Sequence, residues 1–146
     1  MANLAGLLRI AIGLLLLAAG VLKAHDGPAA TAATIAGYRI LPPMFVAPLG
    51  VLLPYVEIGL GVLLVVGRFV RASALFAAVQ FAIFALAVAS LVVRGIPADC
   101  GCFGSGVATP PSWGHVAADV ALALVALFVA RRAPGAFALD RQRMTA

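Results

Sequence analysis

The two cysteines of the chain are separated by a single glycine, in the sequence Cys100-Gly101-Cys102. With one residue between the cysteines, a disulfide would close only a small ring. Its two Cα atoms must lie closer than about 7 Å, so the chain must turn sharply between them. Gly101 favours the sharp turn that closure needs, since it lacks a Cβ atom, and Gly104 allows a second turn. A cramped, accessible disulfide is easily reduced, and so small a loop removes little unfolded-state entropy. The spacing therefore favours thiol–disulfide exchange over structural stapling.

Two other interpretations of the cysteine pair stay open. One is a purely structural disulfide. The other is a copper or zinc site, in which His115 or His25 would join Cys100 and Cys102. Two thiolates and one imidazole fall short of a closed four-ligand site, so we predict no metal. The residues expected to support the pair are Asp99, Gly101, Phe103 and Gly104.

The composition is far from that of a soluble protein. Of the 146 residues, 64% are hydrophobic and 10% charged, and the mean hydropathy is +1.15; soluble domains carry roughly a quarter charged residues. The net charge of +5 does not indicate nucleic-acid binding, because the basic residues stand singly or in pairs at the ends of apolar runs. The length fits one domain, residues 1–146.

Four apolar runs are long enough to cross a bilayer. We therefore predict an all-α integral membrane protein, a four-transmembrane-helix bundle. Arg9 precedes the leucine-rich core of the first run, but no small-x-small cleavage motif followed by a polar mature domain appears, so we expect the run to remain a helix and not a signal peptide. Residues 133–146 are expected to form a flexible cytoplasmic tail. The predicted spans are about 4–22, 44–66, 72–93 and 115–130.

Arginine and lysine divide unequally between the two ends of the predicted bundle. The end with the termini and the 67–71 loop holds seven basic residues, and the other end holds three. Because basic residues collect in cytoplasmic loops, both termini are predicted to be cytoplasmic in a cell (inner or plasma) membrane. The cysteine pair then lies on the extracytoplasmic side, where disulfides persist.

Ionisable residues inside the spans need a partner or a task. Glu57 lies near the middle of the second span and Arg9 in the first, at heights that suggest an ion pair between helices. Alternatively, Glu57 moves protons or binds a quinone head group together with Pro54 and Tyr55, because a proline kink frees backbone carbonyls. Gln80 is expected to bond between helices.

Polar residues also gather at the predicted outer rim. Lys23 beside the cysteines would favour the reactive thiolate, whereas a lysine at a helix end is often a snorkelling anchor. Asp26, Asp99 and Asp119 would complete a polar cluster with it. Three aromatic residues fit interfacial anchors: Tyr38, Phe45 and Trp113. Small residues expected to let helices approach include Gly59, Gly61, Ala77 and Ala85.

Together these residues resemble the MauE family of methylamine-utilisation membrane proteins, within the DoxX-like group. The resemblance covers about residues 7–130, and its most specific part is the Cys-Gly-Cys-Phe-Gly sequence at 100–104. It implies a four-helix membrane protein linked to disulfide formation or maintenance in exported proteins, beside a separate thioredoxin-fold partner. The other matching elements are Arg9, 20–23, Tyr38, Leu41-Pro42, Pro54, Glu57, Arg94-Gly95 and Asp99.

The predicted architecture is also similar to DsbB and vitamin K epoxide reductase, which couple disulfides to quinones. Those enzymes relay electrons through a second cysteine pair, and this sequence has none. We therefore predict a thiol–disulfide oxidoreductase in which Cys100 and Cys102 meet both the partner and any quinone. Two alternatives stay open: a non-catalytic assembly or chaperone subunit for exported redox proteins, and a quinone- or lipid-binding scaffold centred on Glu57.

Overall fold

A computed structural model describes residues 2–101, 104, 109–133 and 138–139. Over these residues the chain forms five helices. In chain order they are α1 (Ala2–Asp26), α2 (Pro28–Gly37), α3 (Pro43–Val66), α4 (Val70–Arg94) and α5 (Trp113–Arg131).

Four of these helices, α1, α3, α4 and α5, are long and apolar enough to cross a membrane. The predicted all-α, four-span architecture is therefore confirmed, while the cytoplasmic placement of the termini remains a prediction. The predicted tail, residues 133–146, lies largely outside the described part of the chain.

The first helix runs further than the sequence suggested. The predicted span ends before Lys23, but α1 continues to Asp26. Lys23 does not end the helix because it is buried and paired with Glu57 inside the bundle. A neutralised charge of this kind can lie within a span.

The short helix α2 was not predicted and occupies most of the expected 23–43 loop. Its ten residues begin with Pro28, which is well placed in a first helical turn. At ~1.5 Å per residue it is too short to cross a bilayer. It packs closely on α3, where a Cβ at Gly50 would lie 2.7 Å from the Cβ of Ala32. α2 thus covers one side of the bundle at a single end.

Glycines bring α1 and α3 into antiparallel contact. A Cβ at Gly61 would lie 2.7 Å from the backbone nitrogen of Leu17, and one at Gly20 would lie 2.7 Å from the carbonyl oxygen of Pro54. The prediction of close approach is confirmed for Gly61. It is wrong for Gly59, around which a Cβ would meet no atom within 4 Å.

The largest buried cluster joins α1, α4 and α5 near the ends that carry Val70 and Arg131, which we call the opposite end. Ala77 is fully buried there, and the carbonyl of Leu64 accepts a hydrogen bond from Arg9. At the other end, the cysteine end, lie the last turn of α1, α2 and Cys100. The buried cluster includes Ile12, Leu16, Leu64, Val70, Ala74, Ala77, Phe81, Ala126, Val129 and Ala130.

Candidate functional site

Cys100 is buried at the cysteine end, only 6% exposed. Its backbone N–H donates to the carbonyl of Thr109 at 3.1 Å, and its Sγ lies 3.3 Å from the Thr109 Oγ1. Two contacts from one residue thus fix both the backbone and the sulfur of Cys100. Cys102 and Phe103, the other predicted members of this site, lie outside the described residues.

Two glycines, Gly101 and Gly104, lie in the segment between α4 and α5, which we call the cysteine loop. Both adopt the left-handed conformations that the sequence led us to expect. Gly101 has φ 63° and Gly104 has φ 78°, a region that residues with a Cβ rarely occupy. Each also packs against a helix: a Cβ at Gly101 would lie 2.3 Å from Thr34 Cγ2, and one at Gly104 would lie 2.5 Å from Asp26 Oδ2. The loop is therefore pressed onto α1 and α2.

Tyr38 and Arg94 connect the cysteine loop to the helices around it. The Tyr38 hydroxyl donates a hydrogen bond to the carbonyl of Cys100. Arg94 in turn donates to the carbonyls of Tyr38 and Arg39. Tyr38 was expected to be only an interfacial anchor, yet its hydroxyl reaches the site. The end of α4, the end of α2 and Cys100 form one hydrogen-bonded chain.

A buried ionic cluster of Lys23, Glu57 and Gln80 lies inside the bundle. Lys23 Nζ is 2.8 Å from both carboxylate oxygens of Glu57, and Gln80 Nε2 donates to Glu57 Oε1 at 3.1 Å. Lys23 and Glu57 are 3% and 1% exposed. Lys23 is therefore not a snorkelling anchor, and Gln80 bonds between helices as predicted.

The predicted ion pair between Glu57 and Arg9 is wrong. Arg9 Nη1 donates to the backbone carbonyls of Leu64 and Val65 instead. Leu64 lies two turns of α3 beyond Glu57, about 10 Å along the axis. The antiparallel register of α1 and α3 thus brings Lys23, not Arg9, to the height of Glu57.

An apolar cavity of about 510 Å³ opens between α3 and α4 at the cysteine end. Its walls include Leu52 and Ile83, which are more than half exposed, so the cavity is open toward the lipid side of the bundle. Its polar groups come from Lys23, Gln80 and the cysteine loop. We call this the lateral cavity. The other polar or loop residues along it are Asp26, Thr31, Thr34, Tyr38, Cys100, Gly101 and Gly104.

A second cavity, of about 380 Å³, lies on another side of Cys100. We call it the α5 cavity, because its polar lining includes His115 and Asp119 of that helix. These two residues are four apart and share one helix face. Glu57 and Thr109 also line it. Cys100 therefore borders two cavities, one apolar and one with several ionisable groups.

Other predicted site residues lie apart from these cavities. Tyr55 is 64% exposed, Pro54 is buried against α1, and neither lines the lateral cavity. Asp99 is exposed, although it precedes Cys100. Within the described part of the chain no group of three His, Cys, Asp or Glu side chains could hold a metal ion. His25 points outward, its side chain 89% exposed.

Sequence reasoning missed the role of Thr109 and gave Asp119 only a place in a rim cluster. Nothing in the spacing marks Thr109, since its contact with Cys100 is made across a loop. Asp119 could have been recognised from the sequence, because a carboxyl group four residues after His115 inside an apolar helix needs a partner or a task.

The comparisons with known proteins identify one family. A family model described as methylamine utilisation protein MauE matches residues 1–132. The MauE protein of Paracoccus denitrificans is 35% identical over 130 residues, which are 88% of this chain and 69% of that protein. The MauE protein of Methylophilus methylotrophus is 38% identical over 66% of this chain and 52% of its own length.

The Methylorubrum extorquens MauE protein is 32% identical over 97 residues, again 52% of its length. The chain thus spans about half to two thirds of the relatives it matches. No solved structure matches it. With the family model covering nearly the whole chain, this four-span membrane protein belongs to the MauE family of methylamine utilisation proteins.

Proposed function

We propose that this protein is a membrane thiol–disulfide oxidoreductase that acts through Cys100 and Cys102 in methylamine utilisation. Its partner would be a thioredoxin-fold protein or an exported protein with thiols. The position of Cys100 carries the proposal: this buried residue lines both the lateral cavity and the α5 cavity with its ionisable groups. A cysteine in that position has access to an electron acceptor and to proton carriers as well as to its neighbour in the loop.

The burial of Cys100 supports a division of labour between the two cysteines. A sulfur on a residue only 6% exposed is poorly placed to meet a soluble protein. We therefore assign the partner-facing role to Cys102 and the resolving role to Cys100. A partner thiolate attacks Cys102 of the disulfide, and the Cys100–Cys102 bond breaks with Cys100 leaving as thiolate. The second partner thiolate then displaces Cys102, so two electrons have passed from the partner to the pair.

The lateral cavity supports a quinone as the acceptor of those electrons. Its volume of about 510 Å³ suits a ring with part of its apolar tail. Lys23 and Gln80, which are bonded to Glu57, line the same space as Cys100 and are the donors that would meet the ring oxygens. The reaction balances without another cofactor: the dithiol loses two electrons and two protons to become a disulfide, and the quinone gains both to become a quinol.

Mixed-disulfide capture tests the exchange chemistry. With Cys100→Ser, the Cys102 thiolate could attack the disulfide of an oxidised partner, but no neighbouring thiol could release it, so a covalent complex should accumulate. Cys102→Ser should accumulate none. The full chain in its native membrane, quenched with acid and run without reductant, shows this directly. Equal absence of complexes from both variants, with the wild type present in the membrane, would contradict the assignment.

Quinone use is tested with two matched tryptophan substitutions on α4. Ile83 lines the lateral cavity, whereas Leu86, 73% exposed on the same helix, does not. Ile83→Trp should slow reoxidation of the reduced protein by a short-tailed ubiquinone in detergent at least tenfold. Leu86→Trp should react like the wild type. Equal rates for the two variants would remove the lateral cavity from the reaction.

The same contacts also suit a second function, that of a non-catalytic assembly subunit for exported redox proteins. Tyr38 and Thr109 hold the cysteine loop through its backbone, as they would in a loop that only presents a surface. Cys102→Ser separates the two functions. It should abolish maturation of exported disulfide proteins if exchange is the task, and leave maturation largely intact if assembly is.

A further inference from the structure

A buried carboxylate with one oxygen unbonded by the described residues lines the same cavity as Cys100. Asp119 is 7% exposed, and its Oδ2 accepts no hydrogen bond from any described residue. Leaving such a group unsatisfied inside an apolar helix is costly. Glu57, the other carboxylate lining the α5 cavity, is in contrast fully engaged by Lys23 and Gln80.

The α5 cavity joins Asp119 to Cys100. Both residues line this space of about 380 Å³, which is many times the ~30 Å³ that one water occupies in the liquid. There is room for water to connect the Cys100 sulfur with the open Oδ2. One turn nearer the start of α5, His115 is half-buried and bonds to the exposed Ser112 at 2.8 Å. The polar face of α5 therefore leads from Cys100 toward the surface.

We infer that Asp119 is the proton acceptor for the Cys100 thiol, a role that rests on the proposed exchange chemistry. When exchange runs in the reverse of the partner oxidation above, so that Cys100 displaces a partner from Cys102, the S–H proton of Cys100 passes to the Asp119 carboxylate as the sulfur attacks. The new Cys100–Cys102 bond forms, the mixed disulfide breaks, and the leaving thiolate takes up one proton. Asp119 then returns its proton to water by way of His115.

Several charged groups act on Asp119 besides the thiol. A positive charge on Lys23 of α1 or His115 of α5 would favour the Asp119 carboxylate, whereas a negative charge on Cys100 would disfavour it. Glu57 of α3 shares the cavity but is neutralised by Lys23. From α4 the cavity is lined by the uncharged rings of Phe81 and Phe84. Among the residues that line the cavity, Cys100 is therefore the proton donor that takes part in the proposed exchange.

The test follows ring closure in the reduced full chain in detergent. An aromatic disulfide that releases one coloured thiolate per exchange should give two releases. The first marks the mixed disulfide on one cysteine, and the second marks closure by the other. Cys100→Ser and Cys102→Ser should each give only the first. The rate of the second release is the quantity measured, across the pH range in which the protein stays folded.

Asp119→Asn should slow the second release about 100-fold, the smaller end of the usual contribution of a general base. In the wild type that rate should be level at higher pH and fall from this level toward acid pH, as Asp119 takes up a proton and can no longer accept one. Asp119→Asn should have no level region and show instead a rate proportional to hydroxide concentration at every pH. Asp119→Glu, which keeps a carboxylate, should retain the level region and the acid-side fall, and so should Asp99→Asn on the exposed neighbour.

An unchanged or faster second release in Asp119→Asn, with the wild-type pH profile, would overturn the inference, because the carboxylate would then only repel the thiolate. Should Asp119→Asn fail to fold, loss of the level region in Asp119→Glu would overturn it equally. If the wild type itself gives no second release, the exchange function fails along with this role. A second release whose rate does not depend on Asp119 would contradict this role alone and leave the exchange function standing.

Discussion

The two ends of the bundle are built from similar apolar helices but pack differently. At the opposite end, Gly61 lets α1 and α3 touch through their backbones, and Arg9 is bonded to carbonyls of α3. At the cysteine end, α2 and the Lys23–Glu57 pair lie among the helices, and two cavities remain. The opposite end is closely packed, and the cysteine end has room for ligands.

This difference indicates how a short membrane protein can hold a reactive site. Close helix contacts through small residues, together with the hydrogen bonds from Arg9 to α3 carbonyls, stabilise the opposite end. The cysteine end is organised by hydrogen bonds and one ion pair, such as the bond from Tyr38 to the Cys100 carbonyl. Substitutions at the opposite end should therefore act through steric clashes. Substitutions at the cysteine end should act through lost charges, lost hydrogen bonds or altered thiol chemistry.

The largest expected effect is all-or-none and concerns which end faces outward. Because basic residues crowd the termini and the 67–71 loop, a membrane-impermeant maleimide should label the reduced cysteine pair from the extracytoplasmic side. A reporter fused after Ala146 should behave as cytoplasmic. Labelling that appears only after permeabilisation would invert the two ends.

The next effect concerns the ion pair of the cysteine end. Glu57→Gln should lower the free energy of unfolding by ~3–5 kcal/mol, because Lys23 would remain buried without its counter-charge. Adding Lys23→Met should recover much of this loss, while adding Arg9→Met should recover none. Thermal unfolding in detergent measures all three. Rescue by Arg9→Met would mean that the pairing in solution differs from the one described.

A steric substitution in α3, with a control on the same helix, tests the close packing of the opposite end. Gly61→Leu should cost ~1–3 kcal/mol or more, because its Cβ would meet α1 backbone atoms at 2.7–2.8 Å. Gly59→Leu, two residues away with open space around it, should have little effect. Equal losses of stability for the two variants would contradict the close contact of α1 and α3.

A smaller effect is expected in the cysteine loop. Gly101→Ala should destabilise the loop by ~1–2 kcal/mol through its left-handed backbone, and further through contact with Thr34. Gly95→Ala is the control, since Gly95 is also left-handed but meets no neighbouring atom within 4 Å. Thr34→Ser removes the contacting methyl group and should restore part of the Gly101→Ala loss. Local hydrogen exchange of the loop reports the difference.

The four spans could be predicted because a bilayer imposes a simple demand on length and hydropathy. The boundaries were less accurate where a charge is neutralised by tertiary contact, as at Lys23. α2 was missed because ten residues between two spans give no membrane-length signal. The partner of Glu57 was mistaken because helix register depends on which glycines meet, and sequence alone did not distinguish Gly61 from Gly59.

For the site, the turn at Gly101 was easier to predict than the surroundings of Cys100. The Cys-Gly-Cys spacing predicted that turn, and Gly101 has a positive φ, while the reactivity of the pair stays a prediction. The contact of Thr109 with Cys100 depends on how a loop folds back onto itself, and no local pattern specifies that. The lateral cavity likewise is lined by residues of α1, α2, α3 and α4 that only tertiary packing brings together, and it has no counterpart in the sequence.

The measurement that bears most directly on the account is a redox titration of the Cys100–Cys102 pair in detergent. The pair is equilibrated with glutathione or dithiothreitol mixtures, and the fraction of free thiols is counted after alkylation. Because the cysteines can close only a small ring, we expect a potential well above the ~−300 mV below which structural disulfides usually lie. A pair that stays oxidised at strongly reducing potentials would be a structural staple and would contradict the exchange function.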